Sequence, residues 1–129
     1  MGTITVGELL VRCLHAEGVE LATGIIDGAH IPMVVHLPKY GIRYVNARHE
    51  EAAVHIAEGY TRIARKPAVS IGNPACGTGN MLAGVMSAFA EGHPVLALKV
   101  DDMEVAARVV RSAKLDLVDQ AELGWEEQR

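Results

Sequence analysis

Two stretches of this sequence hold the residue types best suited to chemistry. The first, Ala47-Arg48-His49-Glu50-Glu51-Ala52-Ala53-Val54-His55-Ile56-Ala57-Glu58-Gly59-Tyr60, puts a carboxylate, Glu50, where a predicted strand gives way to a predicted helix. The second, Asn73-Pro74-Ala75-Cys76-Gly77-Thr78-Gly79-Asn80, is a strand-to-helix turn of small residues. In a parallel α/β sheet both turns lie at the carboxyl ends of strands, where such folds bind ligands. Glu50 admits two readings. As a solvated first-turn acid it would only favour the positive end of its helix. As a buried carboxylate it would hydrogen-bond a ligand, and spacing alone leaves the two open.

The other candidates are weaker. Gly77-Thr78-Gly79 follows a strand and opens a helix, but the third glycine of a dinucleotide fingerprint would fall at Leu82, and no Walker A lysine follows. The glycines would then serve close approach of helix and strand, in a turn that still offers backbone N–H groups to a flat ligand. His49 would suit a general base or a metal ligand, yet His55 lies off its helical face. His15, His30, His36 and His93 are scattered and form no metal pattern.

Alternating helices and strands must position these stretches. Val6 to Glu17 reads as a helix, with Leu9, Leu10, Cys13 and Leu14 on one face. Thr5 and Glu8 have capping-box spacing, and Gly18 is placed to end the helix. Glu20 to Ile25 is a strand, Asp27-Gly28 a turn, and Ala29 to Leu37 a short helix that admits Pro32 only in its first turn. Pro38 to Gly41 breaks it. Ile42 to Val45 is a second strand, with Asn46 as the expected cap of the next helix. Arg48 to Arg65 is the longest helix, its apolar stripe drawn through Ala52, Ala53, Ile56, Ala57, Tyr60, Ile63 and Ala64. Ala68 to Ile71 is a third strand, apolar as a buried parallel strand should be. A helix from Gly77 or Thr78 to Ala90 and a strand from Pro94 to Leu98 complete the series. This alternation predicts an α/β fold: a parallel sheet with right-handed crossovers and helices on both faces.

At 129 residues the chain is one small domain, and half its residues are hydrophobic. With one Trp, three Tyr and one Phe, the core must be built from aliphatic residues. The net charge of −4 and the lack of any basic block argue against nucleic acid. No apolar run is long enough to cross a bilayer, and no signal peptide is evident at Met1 to Val6. Cys13 and Cys76 have no metal-ligand spacing and are expected as thiols. Together these features lead us to expect a cytoplasmic protein.

The key residues resemble the N-terminal pyrimidine-binding domain of thiamine-diphosphate-dependent enzymes, the group of acetolactate synthase and benzoylformate decarboxylase. Leu10 to Gly24 resembles the opening helix and strand. Gly24-Ile25-Ile26-Asp27-Gly28-Ala29-His30-Ile31-Pro32 resembles the acetolactate synthase turn, with Ile26-Asp27 in place of the usual Pro-Gly. Arg48-His49-Glu50-Glu51-Ala52-Ala53 through Tyr60 resembles the segment bearing the catalytic glutamate. Arg65-Lys66-Pro67-Ala68 through Asn80 is similar to the Gly-rich turn of benzoylformate decarboxylase. The likeness covers residues 4 to 98, and the expected division is a partial pyrimidine-binding domain over 1–100 with a divergent helical tail over 101–129.

The resemblance implies that Glu50 hydrogen-bonds N1′ of the aminopyrimidine of thiamine diphosphate and so activates the thiazolium carbon toward a 2-keto acid. It implies cofactor-binding roles for Gly24, Asn73, Gly77, Thr78 and Asn80 beside Glu50. It also implies a complementary diphosphate-binding domain or subunit that supplies the Mg²⁺ site, and a homo- or hetero-oligomer. That domain's Gly-Asp-Gly and Asn-Asn motifs do not occur here, so the chain is not expected to be active alone. The benzoylformate branch has a catalytic Ser where this chain has Gly28 and a catalytic His where it has Asn73. Two other readings stand beside this one: a non-catalytic or partner-binding protein of the same fold, and an unrelated small-ligand module that reuses the Gly-rich turn.

Overall fold

The structure, a computed structural model, describes residues 4–99. Strands β1 (Leu21–Gly24), β2 (Arg43–Asn46), β3 (Ala68–Gly72) and β4 (Val95–Lys99) form one parallel sheet in the order β2-β1-β3-β4. Helices α1 (Val6–Ala16), α2 (Ile31–Val34), α3 (Glu50–Ala64) and α4 (Cys76–Ala90) flank it. The expected parallel α/β architecture is what the chain adopts. The expected tail over 101–129 lies outside the described residues.

Each strand has two faces because successive side chains point to opposite sides. Ala22, Val69 and Ile71 face α1 and the segment around α2, where they pack with Leu10, Val11, Leu14, Met33, Leu37 and Ile42. Leu21 and Ala68 face α3 and meet Ala57, with Val45, Tyr60 and Val95 packed around them. The first face is thick and aliphatic. On the second, α3 and α4 pack against one another as well as the sheet.

The local signals at the start of the chain act as expected. Thr5 caps α1 by accepting the Glu8 N–H at 3.1 Å, and Gly18 turns the chain with φ +80. The second half of the capping box is not made. The Glu8 carboxylate instead accepts from Lys39 and, at 2.9 Å, from the Tyr40 hydroxyl, tying α1 to the segment before β2.

Three local expectations need correction. The helix expected over Ala29 to Leu37 is divided into a 3₁₀ turn (Gly28–His30), α2, and a second 3₁₀ turn (Leu37–Tyr40) that ends at Gly41 with φ +69. Pro32 and Pro38 each sit in a first turn, where their missing N–H is no loss. Asn46 does not cap α3, because it is the last residue of β2; the cap is His49, in extended conformation. The buried stripe of α3 is also rotated from the expected one. Ala53 and Ala57 are buried, but Ile63 is 88% exposed, and the stripe is completed by Glu50, Val54, Glu58 and Thr61. A pattern drawn on hydrophobicity alone cannot place polar residues inside.

Candidate functional site

The site begins with how α3 is held. The Ala47 N–H donates to Gly24 O at 2.9 Å, which continues the β1–β2 ladder and brings the chain to the carboxyl end of the sheet. His49 is extended, and Ala53 N–H bonds its carbonyl at 3.0 Å, so α3 starts at Glu50. The buried Thr23 hydroxyl donates to Ala53 O at 2.8 Å, pinning the first turn of α3 onto β1. This leaves the Glu50 carboxylate at the positive end of the helix, where an anion is favoured, yet only 5% exposed. The solvated reading of Glu50 is therefore excluded by its burial.

A buried carboxylate needs hydrogen-bond partners, and the Gly-rich turn supplies one. Gly72 ends β3 where a Cβ would lie 2.2 Å from Met81 Sδ, so its lack of a side chain leaves room for Met81 of α4. Asn73 then accepts the Ala75 N–H on Oδ1 at 3.0 Å and the Thr78 N–H on its carbonyl at 3.2 Å, folding the turn into α4. Asn80 Nδ2 donates to Glu50 Oε2 at 3.1 Å. A Cβ at Gly77 would lie 2.6 Å from Glu50 Oε1 and 2.9 Å from Asn73 Cβ. One carboxylate oxygen is thus committed to Asn80. The other has no donor among the described residues and stands beside a glycine. About two turns further along, Gly84 repeats the close approach, with its added Cβ 2.8 Å from Val54 Cβ.

The sheet order adds a second feature. The β1–β2 connection lies on the α1 face and the β2–β3 and β3–β4 connections lie on the α3 face, so the direction of winding reverses between β1 and β3. Open α/β sheets bind ligands at such a switch point. Across it, Asn73 Nδ2 donates to Asp27 Oδ2 at 2.8 Å. Asp27 Oδ1 accepts the Ala29 N–H at 2.9 Å. His30, fully buried, has Nδ1 3.2 Å from the Asp27 N–H and 3.0 Å from Asp27 Oδ1. Its Nε2, buried, has no partner among the described residues.

The structure thus unites Glu50, Gly77 and Asn80 in one cluster. Asn73 touches that cluster through Gly77 and reaches Asp27 across the switch point. Gly24, with φ +148 and no room for a Cβ beside Ile71 O, is a packing glycine at the end of β1. Thr78 is exposed and joins the turn through its backbone N–H. In the sequence Asp27 reads only as a turn residue; the signal for more is His30 three residues on, the spacing of a reciprocal cap. Among the described residues no group of three or more His, Cys, Asp or Glu could hold a metal ion, and no helix is long and apolar enough to cross a membrane.

The sheet belongs to the class of open parallel α/β domains, which bind ligands at the carboxyl ends of their strands, and it holds a buried carboxylate against a glycine at that edge. Residues 4–122 match the family described as thiamine pyrophosphate enzyme, N-terminal TPP binding domain, and the chain belongs to that family. This match runs beyond residues 4–98, where the motifs lie. The chain is 33% identical over 91 residues to the probable acetolactate synthase large subunit of Methanocaldococcus jannaschii, covering 70% of this chain and 15% of that protein. It is 37% identical over 97 residues to the probable 2-ketoarginine decarboxylase of Pseudomonas aeruginosa, covering 74% of this chain and 17% of that protein. The benzoylformate decarboxylase structure from Polynucleobacter necessarius shares the fold with a TM-score of 0.66 at 24% identity, over 74% of this chain and 18% of that one. The chain therefore spans less than a fifth of the length of these relatives.

Proposed function

We propose that this chain binds the aminopyrimidine of thiamine diphosphate, as the N-terminal part of a 2-keto acid decarboxylase or an acetolactate synthase-type carboligase of the cytoplasm. The observation that carries this reading is Glu50: buried, with one oxygen held by Asn80 and the other without a donor among the described residues, beside Gly77. These residues fit the group. Oε1 is an acceptor ready for a donor, and Gly77 beside it carries no side chain to crowd that oxygen.

When bound, thiamine diphosphate supplies the electron sink that makes loss of CO₂ from a 2-keto acid possible. The chain's own residues supply position and a proton path. Glu50 Oε1 holds and exchanges a proton at N1′, a task for a carboxylate that an amide cannot perform. Asn80 fixes the orientation of the carboxylate, and Asn73 and Asp27 face the substrate side across the switch point. Gly24 and Thr78 act through the backbone at the edges of the cluster. The diphosphate and its Mg²⁺ belong to a complementary domain or subunit, which agrees with the much greater length of the relatives. The exposed Leu82, Met86 and Phe89 of α4 offer an apolar surface for that partner or a second copy.

The test uses the chain together with a diphosphate-binding domain. Glu50→Gln should slow deuterium exchange at the thiazolium carbon by about 10²–10⁴-fold, while cofactor affinity changes much less. Glu51→Gln should leave exchange unaltered, because the neighbouring residue on a helix points about 100° away. Equal exchange in the wild type and Glu50→Gln would remove Glu50 as the activating residue.

A further inference from the structure

A second carboxylate is buried on α3. Glu58 is 6% exposed and lies on the same helical stripe as Glu50, about 12 Å further along the axis. It collects donors from three elements. His55 Nδ1, on its own helix, lies 3.1 Å from Oε2. Ser87 of α4 donates its hydroxyl at 3.3 Å to Oε1 and 3.4 Å to Oε2. His93, in the turn that enters β4, places Nδ1 3.2 Å from Oε1. The His93 backbone N–H bonds Ala88 O at 2.8 Å, so the same residue also closes the end of α4. Glu51 faces the cluster from one turn back, its Oε1 3.9 Å from His55 Nε2. No Lys or Arg pairs with Glu58 among the described residues.

An ionised carboxylate can only accept hydrogen bonds. Both imidazoles must therefore present Nδ1–H, whatever their charge. The two ends of the α3–α4 pair then share one design: a buried acid of α3 met by a polar side chain of α4, Glu50 by Asn80 and Glu58 by Ser87. Between them Gly84 lets the helices touch at Val54. Two rigid helices in contact along this line cannot part at one end without altering the other.

We propose that Glu58 is a positioning residue: with His55, Ser87 and His93 it forms an acid-releasable clasp that holds α4 and the β4 turn on α3, and so keeps Gly77 and Asn80 in place on Glu50. This holds whichever ligand Glu50 takes. The bond from His55, followed by those from His93 and Ser87, keeps the Glu58 carboxyl below its ordinary value of 4.5 against the opposing effect of burial. A carboxyl with a lowered folded value contributes stability in full above its unfolded value and loses it as pH falls through the folded one. The clasp should therefore hold at neutral pH and release below pH 4.5.

The test uses the full chain in solution. Imidazole ¹⁵N spectra, taken at a pH where both rings are neutral, should show His55 and His93 protonated on Nδ1. Protonation of both on Nε2 would overturn the proposal. Amide hydrogen-exchange protection should drop about tenfold or more in Glu58→Gln at neutral pH, both in the Glu91 to Val95 turn and around Thr78 to Met81. This gap from the wild type should close as the pH is lowered below 4.5, because the amide does not titrate. A gap that stays constant with pH would refute the role of the charge. A gap confined to the Glu91 to Val95 turn would refute the link to Glu50. Should Glu58→Gln fail to fold, His93→Gln keeps a side-chain N–H and should retain protection that His93→Ala loses; equal behaviour of these two would also refute the clasp.

Discussion

The two faces of the sheet are built on different terms. Against α1 and α2 the sheet packs Leu10, Val11, Leu14, Met33, Leu37, Val69 and Ile71, large side chains with no polar atoms to satisfy. Against α3 and α4 the buried apolar residues are Leu21, Val54 and Met81 beside the small Ala53, Ala57, Ala68 and Ala88, with Thr23, Thr61, Ser70, Glu50 and Glu58 among them. Burying one large aliphatic side chain stabilises by about 1.5–3 kcal/mol, so the first face carries most of the hydrophobic stability. The second gains less from area. It relies on close approach at Gly72, Gly77 and Gly84 and on hydrogen bonds to its buried polar groups. The face that holds the fold together and the face that holds the carboxylates are thereby separated, and a loss on one need not cost the other its function.

This division can be broken or sharpened by substitution. The largest effect on stability is expected on the aliphatic face: Met33→Ala, at a fully buried position, should cost about 2–5 kcal/mol in urea unfolding. Gly84→Ala should cost less. Its methyl would sit 2.8 Å from Val54 Cβ and 3.3 Å from Glu51 O, an overpacking penalty of about 1–3 kcal/mol partly offset by the ~1 kcal/mol helix preference of Ala over Gly. It should disturb Glu50 far more than Met33→Ala does, which hydrogen exchange around Glu50 would show. The reverse order of costs would contradict the assignment of stability to the aliphatic face. The smallest change is a gain. Ser70 Oγ is buried on the α3 face with no partner among the described residues, so Ser70→Ala should stabilise by about 1 kcal/mol, seen as a rise of a few degrees in the melting midpoint. A fall would mean that the hydroxyl has a bonded partner.

The legible part of the fold is its local part. Thr5, Gly18 and Gly41 mark their turns because capping and positive φ depend only on neighbouring residues. The segment after β1 departs from the single helix expected there because Pro32 and Pro38, six residues apart, each open a separate turn. Asn46 has the chemistry of a cap, but pairing of β2 with β1 claims its backbone first. Hydrophobicity alone draws Ile56 and Ile63 into the core of α3, while the turn of the helix is set by what α4 can place opposite Glu50, Val54 and Glu58.

By itself the sequence determined the alternation of helices and strands, the parallel sheet, and the two stretches in which Glu50 and the Gly-rich turn lie. These arise from periodicity and from residues that cap or turn the chain locally. Only the tertiary structure decided that Glu50 is buried, that Asn80 and not a neighbour on its own helix holds it, and that Asp27 meets Asn73 across the β1–β3 switch point. The reason is physical. The state of a carboxylate depends on its solvation and its donors, and the donors of Glu50 and Glu58 come mainly from α4 and the turn after it, about thirty residues away in the chain.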